Sequence, residues 1–314
     1  MTPNQKSKLP NQTETLFLTD AGFETWMLFI KGFDMPHFAA FPLLRTTRGR
    51  EAMKEYFTPF LEMARRNKAG FILDTNTWRA NPDWAKLLGF DLDDLAAINR
   101  EAVQFADELR TEAGKDLNVL INGVIGPRGD GYEVGALMSE TEAQEYHSFQ
   151  VDVLAQAKAD MISALTVTNT PEAIGIARAA HRSDIPCAIS FTLETDGALP
   201  SGQPLADAIT EVDNKTSSKP AYYMINCAHP DHFSSILEGA GDWVNRIHGL
   251  RANASRMSHA ELDQCEELDE GNPQELGTLS VDLTRLLPRL NVLGGCCGTD
   301  HRHVDHMCQS YAQL

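Results

Sequence analysis

Residues 161–193 read MISALTVTNTPEAIGIARAAHRSDIPCAISFTL, and this stretch decides the fold. Residues 161–167 form a short apolar run of strand type, 171–182 carry apolar residues at three- and four-residue spacing, and 188–193 return to a strand pattern. A strand, a helix and a second strand in that order imply parallel neighbours. Working outward, the alternation recurs along the chain without a repeated motif. Strands are expected at 16–20, 70–75, 119–125, 161–167, 188–193, 222–227, 243–250 and 292–296. Helices are expected between them at 51–68, 92–113, 141–159, 171–182, 204–212, 231–238 and 276–287. Eight strands alternating with helices are the arithmetic of an α/β fold of the closed (β/α)8 TIM barrel type, in a single domain. An open doubly wound sheet would stop sooner, and no Gly-x-Gly-x-x-Gly follows the first strand, which weakens a dinucleotide-binding reading.

The bulk properties fit such a domain and narrow its partners. The 314 residues are 42% hydrophobic and 23% charged, the ordinary globular range. Acidic residues outnumber basic ones by 44 to 27, a formal charge of −17 that repels phosphate backbones and anionic membranes, so no nucleic acid and no membrane partner is expected. Residues 1–15 are polar, lack the apolar core of a signal peptide, and are expected to form a flexible segment ahead of the barrel; a cytoplasmic location follows as the expectation. Six cysteines in a chain of this length, two of them adjacent, do not resemble a secreted disulfide framework.

In a barrel the chemistry lies at the C-terminal ends of the strands. The polar residues expected there are Asp20, Asp74-Thr75-Asn76, Thr166, Asn226-Cys227 and Cys296-Cys297. Cys227 precedes Cys296 by 69 positions, so no finger spacing is present and only barrel geometry could unite them. The run Gly294-Gly295-Cys296-Cys297-Gly298-Thr299 has small flanking residues that let two successive thiols face one ion. Three thiolates on zinc leave a fourth position for substrate, the pattern of a catalytic site. The bland reading of Cys as core filler is assigned to Cys187, Cys265 and Cys308, and a redox disulfide between Cys296 and Cys297 is the lesser alternative. His229, His232, His301, His303 and His306 read mostly as surface or helix residues, and His229, two positions after Cys227, is the one expected to approach the site. Segments 31–50 and 257–273 are long connections able to cover the mouth as lids.

These motifs also carry a resemblance. Asp20-Ala21-Gly22-Phe23-Glu24-Thr25, Thr75-Asn76-Thr77-Trp78, Ile125-Gly126-Pro127, Ile189-Ser190-Phe191-Thr192, Ser201-Gly202-Gln203-Pro204-Leu205, Asn226-Cys227 and Gly295-Cys296-Cys297-Gly298-Thr299 resemble the homocysteine S-methyltransferase family from about Leu16 to the C-terminus. The resemblance implies a 16–314 barrel of the homocysteine-binding type and a Zn2+ ion on Cys227, Cys296 and Cys297. It further implies a zinc-bound homocysteine thiolate that attacks the methyl group of a sulfonium or ammonium donor, yielding methionine. Substrate contacts are expected from Asp20, Gly22, Glu24, Asn76, Thr166 and Asn226, with no catalytic residue beyond the metal ligands. Asp20 would meet the substrate amine, and Trp78 could face a cationic donor. Two departures stand out: Leu165 occupies a position where the family has Glu, and Arg251-Ala252-Asn253 replaces Tyr-Pro-Asn. They leave open a different small thiol or selenol as acceptor, or a noncatalytic zinc-binding barrel. Oligomeric state is left open.

Overall fold

A computed structural model describes residues 8–262 and 264–314. Its eight strands are β1 (Phe17–Leu18), β2 (Gly70–Asp74), β3 (Val119–Ile125), β4 (Met161–Val167), β5 (Cys187–Thr192), β6 (Tyr222–Asn226), β7 (Ile247–Ala252) and β8 (Val292–Gly295). All neighbours pair in parallel, and β1 closes on β8 through Phe17 to Val292 and Leu18 to Leu293. The expected (β/α)8 barrel is therefore the observed fold.

Side-chain alternation divides each strand between two environments. Phe17, Ile72, Leu120, Val124, Met161, Leu165, Ala188, Tyr222, Met224 and Val292 fill the barrel interior as one cluster. Leu18, Phe71, Leu73, Ile121, Ile162, Ile189, Phe191, Ile225, Leu250 and Leu293 turn outward against the helices. The principal helices of that outer layer are Thr47–Arg66, Leu92–Ala113, Glu140–Gln156, Thr170–Arg182, Leu205–Thr216, Pro230–Leu237, Pro273–Asp282 and His301–Tyr311. Their starts have local causes: Thr46, Asp91, Ser139, Asn169 and Asn272 each accept a hydrogen bond from a backbone N–H in the first turn. Among the described residues, no helix is long and apolar enough to cross a membrane.

The seventh strand departs from expectation. Residues 242–246 form a 3₁₀ turn, and the strand runs later, from Ile247 to Ala252, because β7 must pair with both Asn226 and Gly295 to keep the ring closed. The shift brings Arg251 inside the barrel mouth, whereas the sequence pattern placed it in the following loop. The N-terminal segment also differs. Residues 1–7 lie outside the described residues, but Leu9 and Pro10 are buried, and Asn291 donates to the carbonyls of Pro10, Thr13 and Thr15. An apolar contact of Leu9 with the interior cluster and three hydrogen bonds dock residues 9–15 against the barrel, where the sequence pattern led to the expectation of a flexible stretch.

Candidate metal centre and substrate pocket

The three predicted sulfur ligands arrive from two strand ends. Cys227 follows β6, and Cys296 and Cys297 follow β8; their Sγ atoms all lie within 4.8 Å of one another. Cys227 and Cys296 have Cα atoms 5.4 Å apart and are joined sulfur to sulfur as a disulfide. The pairing expected as the lesser alternative, Cys296 with Cys297, is not the one formed; Cys227 is joined to Cys296 instead. The disulfide and chelation of a common ion are alternative uses of the same two sulfurs. Three convergent thiols form a soft donor set that suits zinc and leaves one tetrahedral corner for an external ligand.

The backbone is bent to aim these atoms. Cys227 has φ 53° and Thr166 φ 62°, left-handed values that are uncommon for residues with a side chain and cluster at functional sites. Asn226 holds both turns. Its Oδ1 accepts from the Thr166 N–H at 3.0 Å and the Ser190 hydroxyl at 2.6 Å, and its Nδ2 donates to Thr166 Oγ1 at 3.0 Å and to Cys227 Sγ at 3.2 Å. After β8, glycine provides the necessary room: a Cβ at Gly295 would meet Thr299 Oγ1 at 2.0 Å, and one at Gly22 would meet the Cys296 carbonyl at 2.6 Å. The Gly22 N–H donates to the Thr299 carbonyl at 3.1 Å, so the loop after β1 is fastened to the cysteine turn.

A cavity of about 380 Å³ opens over the sulfurs and is lined by all six expected contact residues, Asp20, Gly22, Glu24, Asn76, Thr166 and Asn226. Their environments differ. Asn226 spends its polar atoms on Thr166, Ser190 and Cys227, and Asn76 donates weakly, at 3.4 Å, to the Ala40 carbonyl. Trp78 lines the wall, donates from Nε1 to the Leu165 carbonyl at 3.3 Å, and carries the Arg79 guanidinium 4.8 Å from its ring centre. Asp20 is 2% exposed and is paired with Arg251, whose Nη2 donates to Oδ1 at 2.5 Å. The same guanidinium donates to Asp74 Oδ2, and its Nε reaches the Gly295 carbonyl at 3.2 Å. Burial raises the Asp20 carboxyl to about 7; Arg251 pulls it down, while Asp74 and Glu24 push it up. Burial also raises Glu24 above its ordinary range.

Three residues at the site carried no assigned role in the sequence. Arg251 is one, hidden by the misplaced strand. Tyr132, from the β3 to β4 connection, brings its hydroxyl to 3.3 Å from Cys297 Sγ and stacks on His259 with ring centres 4.0 Å apart. His259 Nε2 in turn lies 2.6 Å from the Cys227 carbonyl. Tyr132 and His259 thus meet over the cysteines from different connections, which local spacing cannot reveal. His229 goes elsewhere: its Nδ1 accepts from the Asp231 N–H as a helix cap, and burial lowers its pKa to about 4. His303 likewise caps the last helix, near Asp300.

Cys187 and Cys308 are buried as expected, and burial pushes each thiol up to about 12, which keeps them protonated. Cys265 is not core filler. It lies on the 257–273 connection and lines the cavity, because that connection, with Leu262, Glu267, Leu268 and Asp269, covers the mouth. Phe38 of the other long connection also contributes.

A closed β/α barrel with three cysteine sulfurs gathered at its C-terminal mouth places the protein among the TIM-barrel proteins whose chemistry lies at the strand ends. Within that class, the model of the family described as homocysteine S-methyltransferase matches residues 18–311, and the chain belongs to that family. The solved metallated form of the homocysteine methyltransferase MmuM from Escherichia coli is similar, at 20% identity and a TM-score of 0.71 over 97% of this chain and 98% of that one. The oxidized form of MmuM gives 19% identity and 0.71 over 96% and 99%; its apo form gives 19% and 0.65 over 96% and 98%. Compared by sequence with curated proteins, the chain matches none.

Proposed function

We propose that the protein is a zinc-dependent S-methyltransferase that moves a methyl group from a sulfonium or ammonium donor to homocysteine, giving methionine. The observation that carries this reading is the approach of Cys227, Cys296 and Cys297 Sγ within 4.8 Å of one another inside a cavity sized for a small thiol and its partner. In the reduced protein these three residues would hold the ion. When bound, zinc keeps an incoming thiol ionised at neutral pH and so supplies the nucleophile.

The protein's own residues supply alignment and exclusion of water. Asn226 fixes Cys227 through its amide and ties that turn to Thr166. Asp20 and Glu24 give the inner cavity negative charge, favouring a cationic head group, while Leu165 and Val124 offer an apolar wall. Leu262 and Leu268 of the cover, with Phe29 and Phe38, shield the reacting centre. A cationic donor leaves as a neutral sulfide or amine, so the step needs no general acid, and positioning accounts for the protein's contribution.

The test is transfer by reduced, zinc-loaded protein given homocysteine and, in turn, S-methylmethionine, S-adenosylmethionine and betaine. Methionine formation with at least one donor is expected. Methylation of another thiol or a selenol, with no methionine from any donor, would replace homocysteine as the acceptor. A metal held by four protein ligands that no thiol displaces would remove the catalytic reading.

A further inference from the structure

We infer that Glu24 recognises the ammonium group of the acceptor, a specificity role that rests on the reading of the acceptor as an amino thiol. The inner cavity contains more carboxylates than cations, and their pairings single out Glu24. Asp74 is saturated: Oδ1 accepts from Asn122 Nδ2 at 2.7 Å and Oδ2 from Arg251. Asp20 gives one oxygen to the same guanidinium. The other nearby cation, Arg79, is paired with Asp130 at 3.3 Å and lies 3.9 Å from the Trp84 ring centre. Glu24, partly buried and lining the cavity, forms no salt bridge among the described residues; its own backbone N–H holds it, and Arg251 and Arg79, both committed to other carboxylates, act on it only at a distance.

Two cations therefore face four carboxylates, Asp20, Glu24, Asp74 and Asp130, and the shortfall falls on Glu24 with the free oxygen of Asp20. A partly buried carboxylate with no ion-pair partner of its own is costly, and burial raises both Glu24 and Asp20 despite the nearby guanidinium groups. An ammonium between Glu24 and Asp20 would supply it through charge-assisted hydrogen bonds.

The position favours the acceptor over the methyl donor as the source of that charge. Glu24 belongs to the loop fastened behind the cysteine turn: Gly298 N–H donates to Thr25 Oγ1 at 3.3 Å, and Gly22 packs on the Cys296 carbonyl. An amino thiol with its sulfur at the cysteines would extend its head group toward this loop. A donor must approach that sulfur from the open side, beneath the cover, where the exposed Glu267 and Asp269 provide a second, solvent-screened set of acids.

The experiment compares homocysteine with its desamino analogue, 4-mercaptobutanoate, in wild type, Glu24→Gln and Glu24→Asp, all zinc-loaded. Calorimetric affinity is measured without donor, and KM and kcat are measured with whichever donor supports transfer. Glu24→Gln should weaken homocysteine binding roughly 10- to 100-fold, as for loss of a hydrogen bond to a charged group. Affinity for the analogue, the donor KM and zinc content should remain as in wild type, and Glu24→Asp should fall between. Equal weakening for both thiols, or a change confined to the donor KM, would overturn the assignment. Because binding is read without turnover, failure of every donor would count against the proposed reaction and leave the ammonium assignment to be decided by the two affinities.

Discussion

Replacing Arg251 by Met tests the interior charge arrangement most directly. The side chains of Arg251, Asp20 and Asp74 are 7%, 3% and 8% exposed, so solvent screens them little. Methionine keeps the apolar stem and removes the guanidinium, leaving two carboxylates facing each other and Glu24. Removing one partner of a buried ion pair costs about 3–5 kcal/mol. At roughly 2.1 cal/mol/K of unfolding entropy per residue, a chain of 314 residues loses about 1.5 °C per kcal/mol, so the midpoint should fall by roughly 5–8 °C at neutral pH. The loss should depend on pH in a definite sense. Burial already holds the folded-state pKa of Asp20 at about 7, above the unfolded value of about 3.9, and loss of Arg251, which pulls it down, raises it further. The folded variant then keeps a proton that the wild type releases above about pH 7, so the variant's stability falls further as pH climbs through its raised value. Paired thermal and urea unfolding of wild type and variant at pH 5 and pH 8 should give the larger deficit at pH 8. A deficit below about 1 kcal/mol, or one equal at both pH values, would show that the triad does not carry the buried charge as described.

Other outcomes follow from the same geometry. Alanine at Cys227, Cys296 or Cys297 should lower zinc content of the reduced protein and abolish methyl transfer, whereas alanine at Cys187 or Cys308 should do neither; full zinc retention by a first-group variant, measured by metal analysis, would remove that sulfur from the ligand set. Asn226→Ala strips the Thr166 N–H and Cys227 Sγ of their partner, and should cost at least about 2 kcal/mol of stability and roughly 10- to 100-fold in zinc affinity. Competition with a metal-binding dye would reveal an unchanged affinity if Asn226 is only a packing residue. Since the Asp20 carboxyl, raised to about 7, must be ionised to share an ammonium, homocysteine affinity should weaken as pH falls from 8 to 6, more than that of 4-mercaptobutanoate. Parallel profiles for the two thiols would contradict this.

Much of the site was readable because its chemistry is concentrated in short motifs. Asn226-Cys227 and Gly294 to Thr299 combine rare residue types with the glycines that a crowded turn requires, and both follow strands with strong apolar patterns. The strand at 247–252 was harder to locate, since Trp243 and Val244 are as strand-like as Leu250 and only pairing with β6 and β8 separates them. That displacement concealed Arg251, whose polarity looks wrong for a barrel interior until Asp20 and Asp74 appear beside it. Cys265 was misread for a related reason: cysteine is so often buried that a loop cysteine covering a cavity leaves no separate trace.

The order of residues alone determined the eightfold alternation and the three sulfurs, because hydrophobic periodicity and a glycine-flanked cysteine pair are local properties. Only the closed ring decided which carboxylates are neutralised, which way Tyr132 and His259 lean, and that Glu24 forms no salt bridge among the described residues. Those outcomes depend on contacts between groups up to 231 positions apart, such as Asp20 with Arg251, and electrostatic pairing acts through distance in space, which one-dimensional spacing does not encode.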